Sequence, residues 1–176
     1  MSEQEKRPSI YCQEVRDLVT EDALPKVLEW LRAYDEGDPA FNDPEEMEHL
    51  KKQVARAVER GYYDGYDTAT YLRDNGWEVD GELVDVFEGV LWKSYNHHET
   101  IVAQWVARNA ITPEFSIGDK VAFRDEGKDC EGVVKEIRTK TAQYMVFCES
   151  LGHGVRKGGV TRLGTYVPFE EAKRAS

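Results

Sequence analysis

Three places in this chain gather residue types that do chemistry elsewhere, and each fails a test of spacing. His97 and His98 are adjacent, so on a helix they point about 100° apart and cannot offer one metal ion an i, i+4 pair. His98 also falls on the apolar face set by Ile101, Val102 and Trp105, where a core or capping histidine is expected. Asp74-Asn75-Gly76-x-Glu78-x-Asp80-Gly81 carries the carboxylates of a calcium loop. Setting Gly81 at that loop's glycine, however, puts Gly76 at the first ligand position and Phe87 at the last, and neither can ligate. Cys148-x4-His153 pairs a thiol with an imidazole, but Cys148 falls in a strand pattern and His153 in a turn. Gly152-His153-Gly154 precedes no helical pattern and no Gly-Lys-Ser/Thr, so it is not a phosphate loop. The expectation is a chain without catalytic residues, cofactor or metal, and not an enzyme.

What remains is charge. The first 111 residues hold 24 Asp/Glu against 12 Lys/Arg, and the last 65 hold 10 against 11, so the net charge of −11 lies in the first part. Two windows contain no base. Asp35, Glu36, Asp38, Asp43, Glu45, Glu46 and Glu48 lie between Arg32 and Lys51. Asp74, Glu78, Asp80, Glu82, Asp85 and Glu88 lie between Arg73 and Lys93. Such runs are either solvated faces that keep a protein soluble or surfaces complementary to a basic partner.

The elements that must carry these residues can be read from periodicity. From Pro8 to Ile111 the signals are helical. Thr20 with Glu21 and Asp22 reads as a helix start, followed by Leu24, Val27, Leu28 and Leu31 on one face. Asp43-Pro44-Glu45-Glu46 supplies an N-cap, a proline at the first helical position and a capping-box glutamate. Met47, Leu50, Val54, Ala57 and Val58 then keep the 3.6 period to Gly61. A short helix is expected over 67–75. Asp80 caps the next, with Leu83, Val84, Val86, Phe87, Val90 and Leu91 as its buried face. That face leaves Glu82, Asp85 and Glu88 outward, with Trp92 on their side. Asn96-x-x-Glu99 reads as a capping box before Ile101, Val102 and Trp105. Tyr62-Tyr63-Asp64-Gly65-Tyr66-Asp67, in a connection between helices, is either a cover for the bundle end or a partner-binding loop.

After Thr112-Pro113 the period drops to two. Phe115, Gly118-Asp119, Val121 and Phe123 alternate, Gly132-Val133-Val134 and Ile137 follow, and Ala142, Tyr144, Val146 and Cys148 share one face of a later strand. Glycines at 152, 154, 158, 159 and 164 cut the rest into short pieces, with a helical turn or two expected after Pro168.

The fold class expected is therefore α+β: a flexible arm over 1–9, an acidic helical bundle over 10–111, and a small β-barrel with a short C-terminal helix over 112–176. The pattern from Phe115 to Val146 resembles the small SH3-like barrels of the Tudor and KOW type. Its opening phrase also resembles the barrel of the nitrile hydratase beta subunit. The clustered-cysteine metal site of that enzyme's catalytic partner has no counterpart here, so its activity does not carry over. The resemblance implies a ligand face of aromatic residues and loop charges, for which the candidates are Arg138, Lys140, Tyr144, Tyr166, Arg156, Lys157 and Arg162.

Cys12, Cys130 and Cys148 are odd in number and scattered, which points to reduced thiols and a cytoplasmic protein. No run of about 18 apolar residues is present to span a membrane. The function expected is non-enzymatic: an acidic interaction or inhibitor protein that occupies a basic surface of a protein partner. Asp35, Glu36, Asp38, Glu45, Glu46, Glu48, Glu82, Asp85, Glu88 and Trp92 would form its contact face. In charge and size this is similar to small acidic inhibitors of phages and mobile elements, some of which imitate nucleic acid. Two alternatives stand beside it: an adaptor whose barrel binds RNA or DNA, and an accessory subunit of an enzyme complex.

Overall fold

The computed structural model describes residues 5–34, 43–61, 64–153, 156–157, 160–161 and 164–175. It is an α+β protein with its helices first: α1 (Gln13–Tyr34), α2 (Pro44–Arg60), α3 (Gly65–Asp74), α4 (Gly81–Leu91) and α5 (Ser94–Arg108). Backbone contacts divide it between Ile101 and Val102, within α5, and residues 5–7 group with the C-terminal part. This sharpens the charge split. Pro8–Ile101 holds 22 acidic and 9 basic residues, the rest 12 and 14.

In the helical unit α1 buries Val15, Val19, Ala23, Val27 and Trp30 against Leu50, Val54, Ala57 and Val58 of α2 and Leu83, Phe87, Val90 and Leu91 of α4. The sequence expectation of a start at Thr20 is corrected here. Thr20 lies inside α1, 3% exposed, and its Oγ1 donates back to the Arg16 carbonyl at 2.8 Å. That bond satisfies the hydroxyl locally, so a residue typed as a cap is tolerated mid-helix. The earlier start recruits Val15 and Val19, and Leu24, Leu28 and Leu31 move to the half-buried flank. The box at Asn96 is corrected too. Only Trp92 and Lys93 separate α4 from α5, so α5 begins at Ser94 and Asn96 is already helical. The two expected aspartate caps, Asp43 and Asp80, are in place, and Asp64 caps α3, three residues before its expected start.

The strand-bearing unit contains β1 (Lys120–Asp125), β2 (Lys128–Arg138), β3 (Gln143–Phe147), β4 (Arg156–Lys157), β5 (Val160–Thr161), β6 (Thr165–Pro168) and β7 (Lys173–Arg174). β1 and β2 meet at a two-residue turn, Glu126 (φ 47°) and Gly127 (φ 80°), the paired positive φ that suits strand twist. β2 therefore starts at Lys128, before the expected Gly132, and a bulge between Val134 and Glu136 bends it. The helical turn expected after Pro168 is present as one 3-10 turn, Phe169–Glu171, but it does not extend into a C-terminal helix: Lys173–Arg174 form a strand on β1.

The main antiparallel sheet has the order β6-β3-β2-β1-β7. Its two edge strands, β6 and β7, are joined by four residues, 169–172. In a flat sheet those edges would stand about 19 Å apart, four spacings of about 4.8 Å. A 3-10 turn rising about 2 Å per residue covers roughly half of that. The sheet is therefore curled, although β6 and β7 do not pair and it is not closed.

One contact sets the position of α3 on α4. A Cβ built on Gly65 would lie 2.3 Å from Glu88 Cγ and 2.8 Å from the Glu88 backbone nitrogen. Gly89, exposed inside α4, would meet nothing within 4 Å. Gly65→Ala should lose about 1–3 kcal/mol of unfolding free energy by forcing the helices apart. Gly89→Ala should gain about 0.5–1 kcal/mol by removing freedom from the unfolded chain. Urea unfolding of the two variants checks both signs.

Candidate partner-binding surface

α4 is held at its start by one carboxylate with two tasks. Asp80 accepts from the Leu83 backbone N–H at 2.9 Å and from the Trp30 indole N–H at 3.0 Å. Asp80 is thus structural, and Asp74 pairs with Arg73 at 3.7 Å. With Leu83, Phe87, Val90 and Leu91 turned inward, Glu82, Asp85 and Glu88 stand exposed. Among the described residues none of these three pairs with a cation.

Asp85 and Glu88 open onto a groove of about 710 Å³, lined also by Tyr11, Asp64, Trp92 and Tyr95. Its lining holds three aromatic rings and three carboxylates, and no Lys, Arg or His. Trp92, the C-cap of α4, is 80% exposed, Tyr95 66% and Tyr11 59%. Large rings left this far in water cost apolar hydration that folding does not recover. Glu82 is exposed on the first turn of α4 but does not line the groove. Sequence reasoning found Asp85, Glu88 and Trp92 here and missed Tyr11 and Tyr95. Tyr95 carried a signal, since it sits three residues beyond Trp92 across a two-residue link. Tyr11 carried none, being brought in by the tertiary fold.

The other acidic window does not join this groove in the lining that forms it. Glu45 and Glu46 border a second depression of about 480 Å³ with His49, Gln53 and Trp77. Glu48 is compensated by Lys52 one turn later, at 3.5 Å, so the base-free stretch of sequence is not base-free on the helix. Asp35, Glu36 and Asp38 lie outside the described residues.

In the strand-bearing unit Tyr144 is corrected from ligand face to core. It is fully buried, and its hydroxyl accepts from the backbone N–H groups of Glu114 and Phe115 at 2.8 and 3.0 Å. Its companions Ala142, Val146 and Cys148 are buried on the same face, which is the signal that should have placed it inside. Arg138 stacks over the half-exposed ring of Tyr166 at 4.1 Å, and Lys140 is exposed. The side chains of Arg156 and Lys157, and all of Arg162, lie outside the described residues. His153 does not address the Cys148 thiol. Its Nδ1 accepts the Cys148 backbone N–H at 2.9 Å, while the thiol lies 3.0 Å from Ser150 Oγ. His98 bonds the Pro8 carbonyl and His97 meets Asp22 at 3.2 Å, so both imidazoles have structural partners.

The expected frayed arm is tied down at residues 5–7. Arg7 donates to Glu170 at 2.5 and 3.0 Å and to the carbonyls of Thr141 and Ala142 at 2.8 and 2.7 Å. Its guanidinium lies 5.3 Å from the Trp105 ring centroid, and the Trp105 indole N–H donates to the Glu5 carbonyl at 3.0 Å. No sequence signal links residues 163 positions apart. Burial pushes the Glu170 carboxyl up, but the hydrogen bond and charge of Arg7 outweigh it and leave it below the usual carboxylate range.

No protein-family model, curated protein or solved structure matches this chain. Among the described residues no helix is long and apolar enough to cross a membrane.

A carboxyl with a lowered folded pKa contributes stability above its unfolded pKa and loses it as pH falls through the folded value. Wild type should therefore be more stable than Glu170→Gln at pH 6–7, with the difference shrinking as pH drops below about 4.5, the carboxyl's ordinary value. Thermal melts of the two proteins at pH 7, 5 and 3 measure it.

Proposed function

We propose that this chain is a non-enzymatic interaction protein whose acidic helical unit occupies a basic surface on a partner protein. The observation that carries this reading is the groove beside α4, where Tyr11, Trp92 and Tyr95 stand exposed among Asp64, Asp85 and Glu88 without a cation in the lining. Aromatic anchors desolvate well at an interface, and uncompensated carboxylates steer a cationic surface toward them. Single exposed hydrophobics are ordinary on a solvated face, but three large rings gathered on one groove support an interaction surface. The imbalance of 22 acidic to 9 basic residues in Pro8–Ile101 extends the attraction over the unit. Imitation of nucleic acid is one form of this reading. DNA carries about one charge per 1.7 Å of axis, so α4 would need other acidic helices beside it to reach that density. The three free cysteines fit a reducing compartment such as the cytoplasm.

A second reading rests on the strand-bearing unit. We infer that its curled sheet is of the SH3-like type, since a meander of β1, β2 and β3 is followed by a 3-10 turn that returns β7 to β1. With 14 basic to 12 acidic residues outside Pro8–Ile101 and Arg138 stacked on Tyr166, this unit is the one suited to touch a nucleic-acid backbone.

Both readings have defined tests. On a partner captured by the wild-type chain, Trp92→Ala should weaken binding about 30-fold, the loss of an interface anchor worth about 2 kcal/mol. Asp85→Asn with Glu88→Gln should slow association and flatten its salt dependence. Unchanged capture by both variants would reduce the acidic face to a solubility device. A gel shift of labelled DNA or RNA that Arg138→Glu abolishes would favour the second reading.

A further inference from the structure

Arg7 is bound in the way a receptor binds a ligand. Four hydrogen bonds take its Nε, Nη1 and Nη2 donors, two of them to one carboxylate in a forked pair, and the guanidinium carbon lies over the Trp105 ring, 5.3 Å from its centroid. The Ala142 carbonyl that receives Nη2 also accepts the Phe169 N–H at 2.9 Å, and Ala142 sits at φ 48° with its side chain fully buried. A non-glycine residue in that backbone region is held there by its surroundings, and the Phe169 N–H is one partner of the carbonyl that does not depend on Arg7. The fork is specific. A lysine ammonium is a single point charge and cannot meet Glu170 and two diverging carbonyls at once.

The segment that brings Arg7 is short and has no regular structure. Residues 5–7 are neither helix nor strand, and Glu5 and Lys6 are exposed. Beyond Arg7 it is held by Glu5, whose carbonyl accepts the Trp105 indole N–H and whose carboxylate lies 3.4 Å from Asn109 Nδ2 and 3.8 Å from Arg108. Beside the segment remains a cavity of about 490 Å³, lined by Trp105, Asn109, Ile111, Glu114, Phe169 and Glu170 as well as by the segment itself. A longer peptide that placed an arginine on Glu170 would have this space to fill, and residues 5–7 do not fill it.

We propose that this cleft is a docking site for an extended, arginine-bearing peptide of a partner protein, and that residues 5–7 occupy it as an intramolecular stand-in. The occupant follows from the chemistry on the page: a guanidinium for the Glu170 fork and the Trp105 face, an extended backbone for the indole N–H, and apolar or amide-bearing neighbours for the rest of the cavity. Because the stand-in is tethered, it is present at an effective concentration in the millimolar range and lowers the apparent affinity of any competitor. The site is separate from the groove beside α4, and this inference does not rest on that reading.

The test uses the full chain with Arg7→Ala and a capped peptide of sequence Glu-Lys-Arg-Pro, its binding read from the Trp105 indole N–H resonance. A second peptide carries citrulline, which keeps the shape of arginine and lacks its charge. The Arg7→Ala chain should bind the arginine peptide at least about tenfold more tightly than the wild type does, and at least about tenfold more tightly than it binds the citrulline peptide. Adding Glu170→Gln should abolish the difference between the peptides. A folded Arg7→Ala chain that ignores the arginine peptide, or binds both peptides equally, overturns the proposal. So does binding that Glu170→Gln leaves intact, because the peptide would then sit on the acidic helical surface. Should Arg7→Ala fail to fold, Arg7→Lys keeps the charge and stem of the segment while losing its fork. The arginine peptide should then shift the Trp105 resonance, and no shift overturns the proposal.

Discussion

The strand-bearing unit depends on one buried phenol. Tyr144 packs edge-on to Phe115 at 5.9 Å and against Phe169 at 4.3 Å, so its ring joins the segment before β1, the interior strand β3 and the 3-10 turn. Its hydroxyl receives two backbone N–H groups from the entering chain. A buried hydroxyl without partners would cost several kcal/mol, and here those two donors would be left unpaired with it. The turn that carries Phe169 also carries Glu170, and Ala142, two residues before Tyr144, offers its carbonyl to Phe169 and to Arg7. The curl of the sheet and the guanidinium cleft therefore rest on the same side chain.

The local devices of the fold were legible and the distant ones were not. Asp43-Pro44 and Asp80 announce helix starts because capping is a contest between a side chain and the next few N–H groups, settled within four residues. The face shared by Ala142, Tyr144, Val146 and Cys148 was readable for the same reason, since a strand's period is local. Tyr144 by residue type alone suits a ligand face, whereas the apolar company of its own face places it in the core. Thr20 failed in the opposite way. A threonine that satisfies itself on Arg16 looks in sequence like one that caps. The candidate site divides along the same line: Asp85, Glu88 and Trp92 share one helix and its end, whereas Tyr11 and Arg7 reach their places across long separations that periodicity does not encode.

Charge tells the same story at larger scale. The carboxylates counted along the chain as two base-free windows are not equivalent once folded. Asp80 is spent on Leu83 and Trp30, and Glu48 on Lys52. Among the described residues Asp85 and Glu88 have no such engagement, and they stand beside rings that the core did not take up. Surface ion pairs contribute little to stability, so leaving these two unpaired sacrifices little folding free energy. What it preserves is the field they project.

The two sites proposed to take a cationic partner differ in how they would choose it. Beside α4 the carboxylates are exposed and screened, so their attraction is long-ranged at low salt, weak in contact and indifferent between lysine and arginine. The cleft at Glu170 is the reverse. Its carboxylate is partly buried, its carbonyls lie in diverging directions, and a planar donor with four N–H groups on three nitrogens satisfies all of them. A surface of the first kind raises the rate of encounter with any basic partner, and a cleft of the second kind discriminates among segments already near. The chain's own Arg7 meets the second requirement and is sheltered from the first, being held by short contacts that salt screens least. Selectivity for arginine follows from the direction of the bonds around it, and the total charge of the protein does not set it.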